Sequence, residues 1–72
     1  MLPKNAYSSE EEFIAALRDW FAGQALNGIC AAFARVSRKA GESQAEAEAR
    51  WSYERADAML EARAAIAKAR GL

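Results

Sequence analysis

The sequence contains no histidine and no threonine, and its one cysteine is Cys30. Without histidine, the chain has no Ser-His-Asp or Cys-His catalytic set and no histidine ligand for zinc. A single cysteine cannot form an intramolecular disulfide, so the fold does not depend on an oxidising compartment. Because Cys30 lies within the apolar run 28–33, we expect it to be a small buried hydrophobic residue and not a reactive thiol.

Motifs for phosphate binding and catalysis are also missing. Gly23 and Gly28 stand inside a helical pattern, and no Lys-Ser or Lys-Thr pair follows them, so no phosphate-binding loop is present. The acidic run 10–12 matches the positive end of a helix dipole and needs no catalytic explanation. We therefore expect a protein that is not an enzyme, with no catalytic residue, no cofactor and no metal site.

Strong charge and long apolar runs are missing as well. Ten Lys and Arg residues balance ten Asp and Glu residues, which argues against nucleic acid or an anionic membrane as the main partner. The first residues lack the apolar core of a signal peptide. The longest uncharged run, 20–34, is shorter than the roughly 20 apolar residues of a spanning helix. We expect no membrane association and a cytoplasmic location.

Helix-forming residues dominate what is present. Alanine occupies 19 positions, whereas isoleucine and valine together occupy four, so a β-sheet is poorly supported. Residues 1–8 contain Pro3 and no helical periodicity, which predicts an extended lead. Ser9 and Glu12 have the spacing of a capping box. Residues 9–72 are therefore expected to form one all-α domain.

The end of the first helix is predicted from its charges. Arg35, Arg38 and Lys39 suit the negative end of a helix dipole. Gly41 follows them and can adopt the left-handed conformation that commonly stops a helix. This pattern predicts a first helix over about residues 10–39.

A second helix follows the same pattern. Ser43 and Glu46 repeat the capping-box spacing, and the helix can continue as far as residue 70, just before Gly71. A connection of about four residues between helices 10–39 and 44–70 predicts an antiparallel two-helix hairpin. A kink at either glycine inside the first helix is left open.

The first helix is apolar on more sides than one partner helix can cover. Its main stripe consists of Ile14, Leu17, Phe21, Ala25, Ile29, Ala32 and Val36, with Leu26, Cys30 and Phe33 on one flank and Phe13 and Trp20 on the other. The second helix offers a stripe of Ala49, Tyr53, Ala56, Leu60, Ala64 and Ala67. Alanines bury little area, and a lone hairpin of this size is marginally stable. We therefore predict a four-helix homodimer, with a partner protein that completes the core as the alternative.

Two blocks of the chain resemble small uncharacterised proteins of tailed phages and prophages. Residues 18–28 (RDWFAGQALNG) resemble an Arg-Asp-aromatic-Phe-Ala run that leads into Ala-Leu/Met-x-Gly. Residues 53–63 (YERADAMLEAR) resemble a second block with Tyr followed by Ala-Asp-Ala-Met-Leu. In this chain the first block begins later and the second helix continues further. The resemblance carries over no catalytic or ligand residues, and it implies a phage or prophage origin and a place in the bacterial cytoplasm.

Arg18 is the first candidate binding residue, because it lies beside the apolar stripe of the first helix. In an antiparallel hairpin we expect an ion pair with Glu61 or Asp57. The alternative is a guanidinium that binds an anionic ligand or a partner's carboxylate.

Trp20, Gln24 and Asn27 are the other candidate binding residues, since they share one flank of the first helix. They are expected to form a contact between two copies, where the amides hydrogen-bond across the two-fold axis. The alternative is a recognition patch for another protein.

Three functional hypotheses remain. The first is a small phage or prophage interaction protein that binds and modulates a bacterial host protein, in host takeover or anti-defence. The second is a dimer that sequesters an anionic small molecule, such as a signalling nucleotide, with Arg18, Gln24 and Asn27. The third is a nucleic-acid-binding accessory protein that uses the basic residues within 35–39.

Overall fold

The computed structural model of the protein describes residues 6–71. Over this range the chain forms two helices and no strand: α1 covers Glu10–Ala31 and α2 covers Gln44–Ala69. Arg18 in α1 contacts Asp57 in α2, and Phe13, earlier in α1, lies under Arg63, later in α2. The helices are therefore antiparallel, and the predicted all-α hairpin is confirmed.

Both helices begin where the capping pattern predicts. The Ser9 hydroxyl accepts a hydrogen bond from the Glu12 backbone N–H at 3.1 Å, but the Glu12 carboxylate accepts from the Ser8 hydroxyl, so only half of this capping box forms. At α2 both halves form, since the Ser43 hydroxyl and the Glu46 carboxylate each accept from the other residue's backbone N–H. These bonds satisfy amide groups that a helix start leaves free.

The predicted end of the first helix at residue 39 is wrong, because α1 ends at Ala31. The backbone N–H of Phe33 bonds to the Cys30 carbonyl at 3.2 Å, and that of Ala34 bonds to the Ile29 carbonyl at 3.1 Å. This pair of bonds is a Schellman motif, which normally has glycine at its left-handed position. Here Phe33 occupies that position with φ of +54°. Sequence reasoning relied on the later Gly41, which is also left-handed but lies in the connection.

The connection, residues 32–43, is longer than the four residues predicted, and Arg50 fixes it to α2. The Arg50 guanidinium donates to both oxygens of Glu42, at 2.9 Å and 3.1 Å, and to the Ser37 carbonyl at 3.0 Å. It also donates to Glu54, one turn further along α2, at 3.1 Å. One side chain therefore joins both halves of the connection to the second helix.

The core of the hairpin is small. Its buried residues are Phe13, Leu17, Ala22 and Ile29 from α1 and Ala47, Ser52 and Ala56 from α2. Among the described residues, no large side chain is completely buried. Phe13, expected on a flank, is buried beneath the Tyr7 ring, with the two ring centroids 5.6 Å apart. Ala32, Ala49 and Ala64 of the predicted stripes are exposed.

Cys30 is also exposed, which corrects the expectation that it is buried. Ile29, its neighbour, is buried, and one residue along a helix turns the side chain by about 100°. Cys30 therefore faces away from α2. α1 continues through Gly23 and Gly28 as one helix, and a Cβ atom at either glycine would meet no neighbouring atom within 4 Å.

Candidate functional site

Arg18 lies at the interface between the helices and pairs with Asp57, one of its two expected partners. Its Nε donates to Asp57 Oδ1 at 2.7 Å and its Nη2 donates to Oδ2 at 3.3 Å. The guanidinium carbon lies 4.4 Å from the Tyr53 ring centroid, and the Tyr53 hydroxyl donates to Asp19 at 2.8 Å. These four residues form a polar cluster between the two helices.

The charges in this cluster stabilise one another. The Arg18 hydrogen bonds lower the pKa of Asp57, and the same bonds raise the pKa of Arg18. The hydrogen bond to Asp19 raises the pKa of Tyr53, because it stabilises the protonated phenol. The Arg18 side chain is 42% exposed, and it makes two hydrogen bonds to Asp57 and a ring contact with Tyr53. The cluster therefore acts first as a contact between helices.

The other candidate binding residues lie on a different face of α1. Trp20 is 44% exposed and contacts Phe21 edge-on, with ring centroids 5.5 Å apart. Gln24 and Asn27 are exposed on the same side. Arg18 lies about 160° around the helix from Trp20, so the structure does not bring Arg18 together with these three residues.

A surface that sequence reasoning largely missed lies between the helices on the side of Phe21, and of the predicted binding residues Gln24 lines it. Two adjoining depressions, of about 540 Å³ and 440 Å³, share Phe21 and Met59 as walls. Ala25 and Ile66 extend the apolar lining towards the two ends. We refer to this continuous surface, with the arginines described next, as the arginine-lined groove.

Three guanidinium groups belong to the groove: Arg55 at one end, and Arg63 and Arg70 along the rest. Arg55 stacks over Trp51 with its carbon 5.0 Å from the ring centroid, and Arg63 lies over Phe13 at 5.8 Å. No carboxylate of the described residues lines the groove. The sequence feature that could have indicated this groove is the spacing of the three arginines, which recur about every two turns on one face of the second helical segment.

The predicted basic cluster lies in the connection and not at a helix end. Arg35, Arg38 and Lys39 are exposed, and the last turn of α1 contains no basic residue. The assignment to the helix dipole was wrong because α1 ends before these residues. The Lys39 backbone N–H donates to the Glu42 carboxylate at 2.9 Å, which helps to fix this part of the connection.

Residues 6–71 contain neither a cluster that could hold a metal ion nor a helix that could span a membrane. In that range no three His, Cys, Asp or Glu side chains lie close enough together to hold a metal ion. Neither α1 nor α2 combines the length and the apolar character that crossing a membrane requires.

Comparison with known proteins adds no relative to these observations: no family model, no curated protein and no solved structure matches this chain. The surfaces of the chain itself offer exposed apolar side chains and guanidinium donors.

Proposed function

We propose that the protein is a small non-enzymatic interaction protein that binds and modulates a bacterial host protein. The observation that carries the proposal is the set of large apolar side chains that the hairpin leaves in water. Phe33 is 94% exposed, Met59 51% and Ile66 52%. Exposed apolar surface of this kind is typical of a protein that buries it against a partner.

The total surface supports the same interpretation. The chain exposes 5425 Å², whereas a compact monomer of its size exposes about 4,400 Å². The excess, about 1,000 Å², is comparable to the roughly 800 Å² that each partner buries in a standard protein interface. The chain is thus less compact than a typical monomer of its mass and leaves more surface available to a partner.

Self-association is part of the proposal. We place the contact between two copies on Trp20, Gln24 and Asn27, where an exposed ring lies beside two amides on one face of α1. Amides can donate and accept across a two-fold axis, and the ring supplies apolar area at the centre. Such a contact would produce the predicted four-helix homodimer, with α1 at its centre.

The setting of the proposal comes from the resemblance of residues 18–28 and 53–63 to phage and prophage proteins. The resemblance implies a place in the cytoplasm of a bacterial host, where host takeover and anti-defence are the natural roles for a small binding protein.

Sequestration of an anionic small molecule is supported less well. That function was proposed for Arg18 with Gln24 and Asn27, but Arg18 is engaged by Asp57 and Tyr53 on another face. Nucleic-acid binding by Arg35, Arg38 and Lys39 depends on three exposed charges in a chain of zero net charge.

The experiment is native mass spectrometry of the full chain isolated gently from its bacterial host. We expect a stable complex that contains a second, different polypeptide, and an Arg38→Glu variant should retain that polypeptide. A homodimer that carries only an extra mass of a few hundred daltons would support the sequestering alternative. A chain recovered with nothing but copies of itself would rule out host-protein binding.

A further inference from the structure

The arginine-lined groove has the dimensions of a site for a helix. Its walls come from both α1 and α2, and its arginines extend from Arg55 in α2 to Arg70, the residue that caps the end of α2. This separation corresponds to about 22 Å at 1.5 Å per residue, which is the length of about 15 helical residues. Grooves between two helices commonly accept a third helix, whose side chains at i, i+3, i+4 and i+7 act as anchors.

The floor of the groove suits apolar anchors. Phe21 is half-buried, and Met59 and Ile66 are each about half exposed, so these side chains keep apolar area in contact with water. Small residues, Ala25, Ala58 and Ala62, lie between them and leave room for a ligand's side chains. Methionine adapts its shape to different anchors because its chain is flexible and polarisable.

The charges at the groove select the partner. Arg55, Arg63 and Arg70 contribute three positive charges, and no Asp or Glu of the described residues lines the groove to balance them. Complementary charges across an interface favour the matching partner, whereas like charges placed opposite one another are costly. A ligand with carboxylates beside its apolar face satisfies these guanidinium groups, and arginine can bind a carboxylate through two hydrogen bonds.

The same charges argue against a second copy of this chain in the groove. A two-fold axis through the groove would place each copy's lining against itself. Arginines of one copy would then face arginines of the other with no carboxylate of the described lining between them. A nucleic acid also carries negative charge, but Phe21 is the one aromatic side chain in the described lining of the groove, so the groove offers little surface for stacking successive bases.

We infer that the arginine-lined groove binds an acidic amphipathic helix of a partner protein. The apolar side of that helix lies on Phe21, Met59 and Ile66, and its carboxylates face the arginines at the two ends. This inference deepens the proposed function, because it names the chemistry that the bound host protein presents.

The probes are two designed peptides of about 15 residues with leucines at helical spacing. One carries glutamate at its flanking positions, its twin carries lysine at the same positions, and both are fluorescently labelled for anisotropy titrations of the full chain. We expect the acidic peptide to bind at least about tenfold more tightly than its twin, with a preference that weakens as salt is added. Equal binding of the two peptides, or no binding of either, would overturn the inference.

Variants locate the peptide on the groove. Met59→Glu should reduce binding of the acidic peptide by about tenfold or more, since it places a carboxylate on the apolar floor. The double change Arg55→Glu with Arg70→Glu should reverse the preference towards the lysine peptide. Arg38→Glu removes a charge outside the groove and is the matched control, and circular dichroism verifies that each variant is folded. Unchanged binding by the groove variants would place the peptide elsewhere and refute the assignment.

Two further outcomes refute the inference in favour of another occupant. A single-stranded oligonucleotide that displaces the acidic peptide at equal concentration would assign the groove to nucleic acid. A homodimer that Met59→Glu converts to monomer would assign it to a second copy.

The native complex separates the inference from the proposed function. A host complex that survives Met59→Glu would refute the groove as its binding site and leave host-protein binding intact. If the acidic peptide binds selectively but no host polypeptide is recovered, the assignment of the groove to an acidic helix is supported and host-protein binding is refuted.

Discussion

The Arg50 guanidinium donates two hydrogen bonds to the Glu42 carboxylate, at 2.9 Å and 3.1 Å, across the junction between the connection and α2. These bonds, helped by the Lys39 backbone N–H, lower the pKa of Glu42 from its ordinary 4.5 to about 2. Protonation of this carboxylate therefore weakens the bonds that join the connection to α2.

The first prediction follows from the sign of this shift. Because the pKa of Glu42 is lower in the folded state, its contribution to the free energy of unfolding is complete above about pH 4.5 and is lost as the pH falls towards 2. We expect the Lys39 amide resonance of the folded protein to shift near pH 2, where Glu42 is protonated in the folded state and its hydrogen bond weakens. Glu42→Gln should remove this transition, and its melting temperature should fall less than that of the wild type as the pH is lowered.

Glu61→Gln provides the matched control, since Glu61 is exposed on α2. It should leave the Lys39 transition unchanged. A Lys39 transition that persists in Glu42→Gln would mean that another carboxyl group holds the connection.

The second prediction compares two leucines of α1. Leu17 is 5% exposed and Leu26 is 36% exposed. Leu17→Ala should lower the free energy of unfolding by about 2–4 kcal/mol, because it leaves a cavity in a core of few residues. Leu26→Ala should cost less than about 1 kcal/mol. Urea unfolding monitored by circular dichroism measures both, and equal costs would indicate that a second copy or a partner covers Leu26.

The third prediction concerns Ser52, which is 2% exposed and whose hydroxyl has no hydrogen-bond partner within the described part of the chain. A buried polar group without a partner is destabilising, and alanine is the better helix former. Ser52→Ala should therefore raise the free energy of unfolding by about 1 kcal/mol. Ser43→Ala, which removes the cap of α2, should lower it by a similar amount. A loss of stability in Ser52→Ala would reveal a partner for the hydroxyl.

The sequence predicted the helix starts well because capping depends on neighbours. Ser43 and Glu46 lie within one turn, and each satisfies the other's backbone, so their spacing alone carries the information. The end of α1 could not be predicted in this way, because Phe33 occupies a backbone position that composition assigns to glycine.

Of the two sites, the sequence predicted the Arg18–Asp57 pair but not the arginine-lined groove. Arg18 and Asp57 follow from antiparallel register, which a hairpin fixes once its two helices are known. The arginine-lined groove depends on how α2 is rotated about its axis. Ala56 of the predicted stripe is buried, but Ala49 and Ala64 are exposed. Ser52 is buried as well, so α2 is rotated relative to the expected register, which turns Met59 and the arginines towards one side. Alanine-rich faces differ too little in hydrophobicity for the sequence to specify that rotation.

The last prediction tests whether the exposed ring of Phe33 contacts the bound host protein. The left-handed backbone at Phe33 costs about 1–2 kcal/mol for a residue with a Cβ atom. Because the Phe33 ring is 94% exposed, burial of the ring offsets little of this cost. Phe33→Gly should raise the free energy of unfolding by about 1 kcal/mol, because glycine adopts this conformation without strain. If the ring is an anchor for the host protein, the same change should weaken the native complex by about tenfold or more.

Phe33→Ala separates the ring from the backbone, since alanine removes the ring but keeps the strained conformation. Its stability should stay within about 0.5 kcal/mol of the wild type, while the complex weakens as much as in Phe33→Gly. Chemical denaturation gives the stabilities, and native mass spectrometry at graded concentrations gives the affinities. A complex that both variants form normally would show that the exposed ring serves no anchoring role, and the strain at residue 33 would then have no binding function to explain it.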